Sequence, residues 1–143
     1  MTQGKIFGVT DGPAPTRFFD RTYDEAYSLL VEARSYVRHG ASVDSGGLSG
    51  HDRLRFALES MRVTSRLGQV MAWLLTEKAV HAGEISRDEA TADSGGLSGH
   101  RVCLDDRREL SEGMPPQLSS LLDRSLALYV RVARLDEMTR RPH

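Results

Sequence analysis

Residues 52–82, DRLRFALESMRVTSRLGQVMAWLLTEKAVHA, contain no proline and one internal glycine, Gly68. A helix over the whole segment spans about 46 Å at 1.5 Å per residue. On a wheel of 100° per residue its apolar side chains form two stripes. Leu54, Ala57, Leu58, Met61, Gly68, Ala72, Leu75 and Ala79 mark one, and Phe56, Val63, Leu67, Val70 and Leu74 mark the other. A helix that is dry on two faces needs two sets of neighbours. This segment is therefore expected to be the central helix of an all-α protein.

Between the stripes runs a polar seam of Arg55, Glu59, Arg62, Arg66 and Gln69, continued by Trp73. Glu59 stands four residues after Arg55 and three before Arg62, so the seam reads either as an internally paired, solvated face or as a docking line. Arginine beside tryptophan is the combination enriched at interaction hot spots. The candidate partner-binding residues are thus Arg55, Glu59, Arg62, Arg66, Gln69 and Trp73.

The neighbours follow from the rest of the chain. Thr22 and Glu25 have capping-box spacing, which predicts a helix over 22–39 stopped by Gly40. Its apolar arc holds Tyr23, Ala26, Tyr27, Leu29, Leu30, Ala33, Tyr36 and Val37. Ser86 and Glu89 repeat the capping-box spacing before a short helix. Pro115 and Pro116 suit the first turn of a last helix over 117–138. The apolar residues of that helix, Leu126, Val130 and Ala133 among them, cover about 220°, more than an outer helix needs. Phe56, Val63, Leu67, Val70, Leu74, Leu126, Val130 and Ala133 are accordingly expected in the core or in a contact with a second copy. Residues 1–21 read as an extended arm, 22–139 as one domain and 140–143 as a short tail.

With 143 residues the chain can bury a core without metal or disulfide. A formal charge of -1 argues against a general nucleic-acid binder, and no apolar run reaches the length that crosses a bilayer. One cysteine, Cys103, and no charged-then-apolar leader point to a reducing cytoplasm. Cys103 lies in an apolar V-C-L setting followed by Asp105 and Asp106, which oppose a reactive thiolate. The five histidines are scattered without metal-ligand spacing. No cofactor is implied.

The octapeptide DSGGLSGH occurs at 44–51 and again at 93–100. Its serines fail the G-x-S-x-G spacing, its glycines lack the lysine of a phosphate loop, and it carries no buried apolar pattern. Two flexible loops, copied naturally or placed there by loop replacement, are the reading.

LESMRVTSRLGQVMAWLLTEKAVHAGEIS, the cysteine in RVCLDD and the closing MPPQLSSLLDRSLALYVRVARLDEM resemble the alphaproteobacterial RcdA family, the regulators of CtrA degradation. The likeness extends to TYDEAYSLLVEARSYV. It implies a dimeric helical bundle without enzymatic activity that acts as an adaptor in cell-cycle proteolysis. Such an adaptor binds a primed ClpXP protease through the response-regulator-like CpdR and helps deliver substrates including CtrA. The cyclic-di-GMP effector PopA is a further implied partner.

The expected architecture is an antiparallel three-helix bundle, as a homodimer, in a cytoplasmic adaptor. The competing class is a small helical transcription regulator. There the seam arginines and the basic end at Arg131, Arg134, Arg140 and Arg141 would meet phosphates, and binding would weaken steeply with salt.

Overall fold

A computed structural model describes residues 14–94 and 113–140, and all its regular structure is helical. The helices are α1 (Ala14–His39), α2 (Ala41–Gly46), α3 (Gly50–His81), α4 (Arg87–Ser94) and α5 (Pro116–Arg140). The three long ones, α1, α3 and α5, pack on one another around a single apolar core.

Helix α1 begins eight residues before the expected start, at Ala14. Thr22, expected as its cap, is instead buried within it. The reason is tertiary: Phe19 sits in the core with its ring 6.0 Å from Trp73 and 5.2 Å from His81, so the extra turns bury an aromatic anchor. The expected arm over 1–21 therefore gives way to helix from Ala14, while 1–13 lie outside the described residues. Ala26, Leu29, Ala33 and Tyr36 line the buried face, whereas Tyr27 and Val37 are exposed.

The first octapeptide copy is structured. Residues 44–46 close α2, Asp44 accepts a 2.7 Å hydrogen bond from the Tyr36 hydroxyl, and Ser49 caps α3 by accepting from the Asp52 amide. Gly40 has a steric task at this corner. A Cβ there would lie 2.9 Å from Cδ1 of the Tyr36 ring. The second copy begins in the last turn of α4, and 95–100 lie outside the described residues, as does Cys103.

Helix α3 ends at His81, and Gly83 turns the chain away with φ of +78°, a value that suits glycine. The capping box at Ser86 forms as expected: its amide donates to Glu89 Oε1 at 2.8 Å, and its hydroxyl accepts from the Glu89 amide at 3.0 Å.

Orientation departs from the expected antiparallel arrangement. Tyr36 meets Phe56 while Asp20 pairs with Lys78, so α1 runs antiparallel to α3. Arg66 reaches residues 122 and 125 while Trp73 reaches Asp136, so α3 and α5 run parallel. The linking residues 82–115 are numerous enough to return the chain to the starting end, at a reach of about 3.3 Å per extended residue.

Candidate functional site

The seam on α3 divides along its length. Arg55 pairs with Asp52 at 2.9 Å and Arg62 with Glu59 at 2.9 Å, each one turn away on the same helix. Arg55, Arg62 and Gln69 are partly exposed at the edge. Glu59, Arg66 and Trp73 lie inside the protein. Arg66 is 2% exposed and donates through Nη1 to the Leu122 carbonyl at 2.8 Å and to Ser125 Oγ at 3.2 Å. The Ser125 hydroxyl donates to the same carbonyl at 3.2 Å. Trp73 donates from Nε1 to Asp136 Oδ1 at 2.8 Å.

The expectation of a continuous docking line is thus corrected for Glu59, Arg66 and Trp73. Parallel α5 covers that side of α3, and a buried guanidinium must satisfy its donors within the chain. Arg66 is likewise withdrawn from any role in binding phosphate.

Of the residues expected in a core or dimer contact, Phe56, Val63, Leu67, Val70 and Leu74 are buried in the core. Leu126, Val130 and Ala133 are half-buried on α5. The other stripe of α3 remains at the surface. Leu54, Leu58, Met61 and Leu75 each expose more than half of their area.

Two further features emerge from the packing, and among their residues Arg131 and Arg134 carried an expectation, as phosphate contacts in the competing reading. The first is a groove of about 680 Å³ between α1 and α5, floored by Leu29, Ala127 and Val130. Two ion pairs tie its walls: Glu25 to Arg131 at 2.7 Å, and Glu32 to both terminal nitrogens of Arg124, one at 2.9 Å. The Arg124 hydrogen bond lowers the Glu32 pKa against a smaller opposing effect of burial. Arg134 closes one end of the groove. The signal was present as two acids seven residues apart on α1 and two arginines seven apart on α5, a match visible only once the helices are known to run antiparallel.

The second feature is Glu77, buried on α3 and held by both terminal nitrogens of Arg87 at 2.7 and 2.9 Å. Those bonds, more than the field of nearby Asp136, raise the Arg87 pKa. This pair docks α4 against α3. No spacing in the sequence distinguishes Glu77 from a solvated glutamate. At the opposite end, burial and then the bond to Asp44 raise the Tyr36 pKa.

These polar groups tie one helix to another. Among the described residues there is no cluster of three or more His, Cys, Asp or Glu able to hold a metal, and no helix is long and apolar enough to cross a membrane. What the arrangement offers chemically is surface: an open groove with an apolar floor and charged walls, and an exposed apolar helix face.

Comparisons with known proteins agree with the resemblance read from the sequence. The family described as a protein of unknown function, DUF1465, matches residues 12–143. No curated protein matches the chain. The crystal structure of RcdA from Caulobacter crescentus CB15 is similar, with 38% sequence identity, a TM-score of 0.67, and coverage of 84% of this chain and 88% of that one. The chain belongs to the DUF1465 family and is RcdA-like.

Proposed function

We propose that the chain is a non-enzymatic adaptor in regulated cell-cycle proteolysis, one that helps deliver substrates such as CtrA to the ClpXP protease. The observation that carries this reading is 38% identity to RcdA across 84% of the chain. The mechanism is tethering. Holding a substrate and a protease-docked partner together raises the effective concentration of one beside the other, with no covalent step.

The use of the polar residues supports this reading. Buried Arg66, Trp73 and Glu77 fix helices against one another, leaving the outer surfaces free to bind. In this account the chain is a cytoplasmic homodimer of three-helix bundles. ClpXP is engaged through CpdR, and PopA is a further partner. Arg55, Arg62 and Gln69 supply the accessible part of the seam for partner capture, and the α1–α5 groove supplies a second surface.

The test is replacement of RcdA in Caulobacter crescentus. A strain lacking its own RcdA and expressing this chain should clear CtrA on schedule. Persistence of CtrA despite normal accumulation of the folded chain would contradict the adaptor reading.

A further inference from the structure

The α1–α5 groove lies between two ion pairs that share one antiparallel register. Glu25 meets Arg131 and Glu32 meets Arg124, so residues near 28 on α1 stand opposite residues near 127 on α5. The side chains facing each other there are small, Ser28 and Ala127, and the gap they leave reaches down to buried Leu29. Packed helices fill such a gap with larger side chains. Here it stays open from Arg124 to Arg134, about 15 Å along the helix. That is the length of a three-turn helix.

Charge is unequal across the gap. The α5 wall carries Arg124, Arg131 and Arg134, and the α1 wall carries Glu25 and Glu32. Arg134 is exposed and makes no hydrogen bond or ion pair with a described residue, Glu137 one turn further on included. Arg21, one turn before Glu25 on the same side of α1, is also exposed and without a partner among the described residues. This end of the groove therefore holds three arginines and one glutamate, which is already paired. The two ion pairs are themselves largely solvated, so their arginines can take up further carboxylate oxygens at little cost.

We propose that the groove takes a three-turn amphipathic helix of a partner protein, with its apolar stripe on Leu29, Ala127 and Val130, its acidic flank along α5 and one carboxylate on Arg134. This rests on the reading of the groove as a capture surface and names what it captures. An apolar floor beside a charged wall selects such a helix. A guanidinium binds both oxygens of a carboxylate, which suits Arg134. A nucleic-acid backbone fits less well, since it has nothing to set on the apolar floor and Glu25 and Glu32 repel its phosphates. The same glutamates require the flank facing α1 to be uncharged or basic. The groove thus recognises an acidic edge rather than net negative charge.

The test uses the full chain and a fluorescein-labelled, hydrocarbon-stapled peptide of fifteen residues, with leucines in one stripe, glutamates along one flank and glutamines along the other. A counterpart carries lysines in place of the glutamates. In fluorescence anisotropy the glutamate peptide should bind at least tenfold more tightly than the lysine peptide. Arg134→Gln should weaken it about fivefold, and Ala127→Glu, which sets a carboxylate on the floor, should abolish it. Both positions are exposed on α5, so helicity should not change. NMR shifts on adding the peptide should centre on Ala127 and Val130. Absence of binding, equal affinity for the two peptides, indifference to Arg134→Gln, or shifts centred elsewhere would overturn the proposal. So would a DNA duplex that displaces the peptide, which assigns the arginines to phosphate, or a change of oligomeric state with Ala127→Glu in sedimentation, which assigns the groove to a second copy. Each of these outcomes leaves the adaptor reading to be decided by CtrA clearance. Persistence of CtrA beside the expected peptide binding would remove the adaptor reading and keep the groove's specificity.

Discussion

Arg66 on α3 donates to the backbone carbonyl of Leu122 on α5 at 2.8 Å, with Ser125 sharing both groups. A side chain of one helix thus bonds directly to the backbone of its parallel neighbour. This reverses the simplest reading of an arginine-rich seam, which places every guanidinium in water.

Arg66→Ser should destabilise the protein by about 3 kcal/mol, because it empties a filled site and removes charge-assisted bonds. Arg131→Ser breaks an ion pair whose two side chains are each about half exposed, and should change stability by less than about 1 kcal/mol. Urea denaturation followed by circular dichroism measures both. Equal effects would mean that Arg66 is not in the interior.

Trp73 and Asp136 should be energetically coupled. Trp73→Phe keeps most of the buried ring and loses the 2.8 Å bond, so a double-mutant cycle with Asp136→Asn should return roughly 1 kcal/mol. The chain has a single tryptophan, so its fluorescence reports this site alone. Emission should be blue-shifted in the native protein and move to the red on unfolding.

Glu32 should show the linkage of a carboxylate with a lowered pKa. Arg124 favours its charged form in the folded state, so the associated stability is present above the ordinary glutamate value of about 4.3 and is lost as pH falls through the lower folded value. Solvent screens this exposed pair, which keeps the effect below about 1 kcal/mol. An NMR titration should place Glu32 below the ordinary range, and Arg124→Gln should return it there. A Glu32 titration unaffected by the substitution would refute the pairing.

Gly40→Ala should cost on the order of 1 kcal/mol, since its Cβ would press on a Tyr36 ring fixed by Asp44. Tyr36→Phe frees the ring from that bond, so the alanine should cost less in the double variant. Thermal unfolding of the four proteins in this cycle checks the prediction.

Much of the helical content was legible because it rests on local rules. The two dry stripes of α3, the capping box at Ser86 and Glu89, and the prolines opening α5 each act within a few residues. Thr22 shows where local rules lose: the capping-box spacing to Glu25 is present in the sequence, yet burying Phe19 continues the helix through it. The wheel located the seam of α3 but could not say that α5 would cover Arg66 and Trp73, because that depends on α3 and α5 running parallel. The Glu25–Arg131 and Glu32–Arg124 pairs were hidden for the same reason. Their partners lie 106 and 92 residues apart, and no sequence spacing connects them.

The most direct measurement is the rate at which purified ClpXP degrades CtrA in the presence of CpdR and PopA, with and without this chain. The adaptor account predicts several-fold faster degradation, lost when CpdR is omitted and lost again when the chain is in such excess that its substrate and protease contacts fall on separate molecules. Degradation at the same rate with the folded chain present or absent would contradict the account.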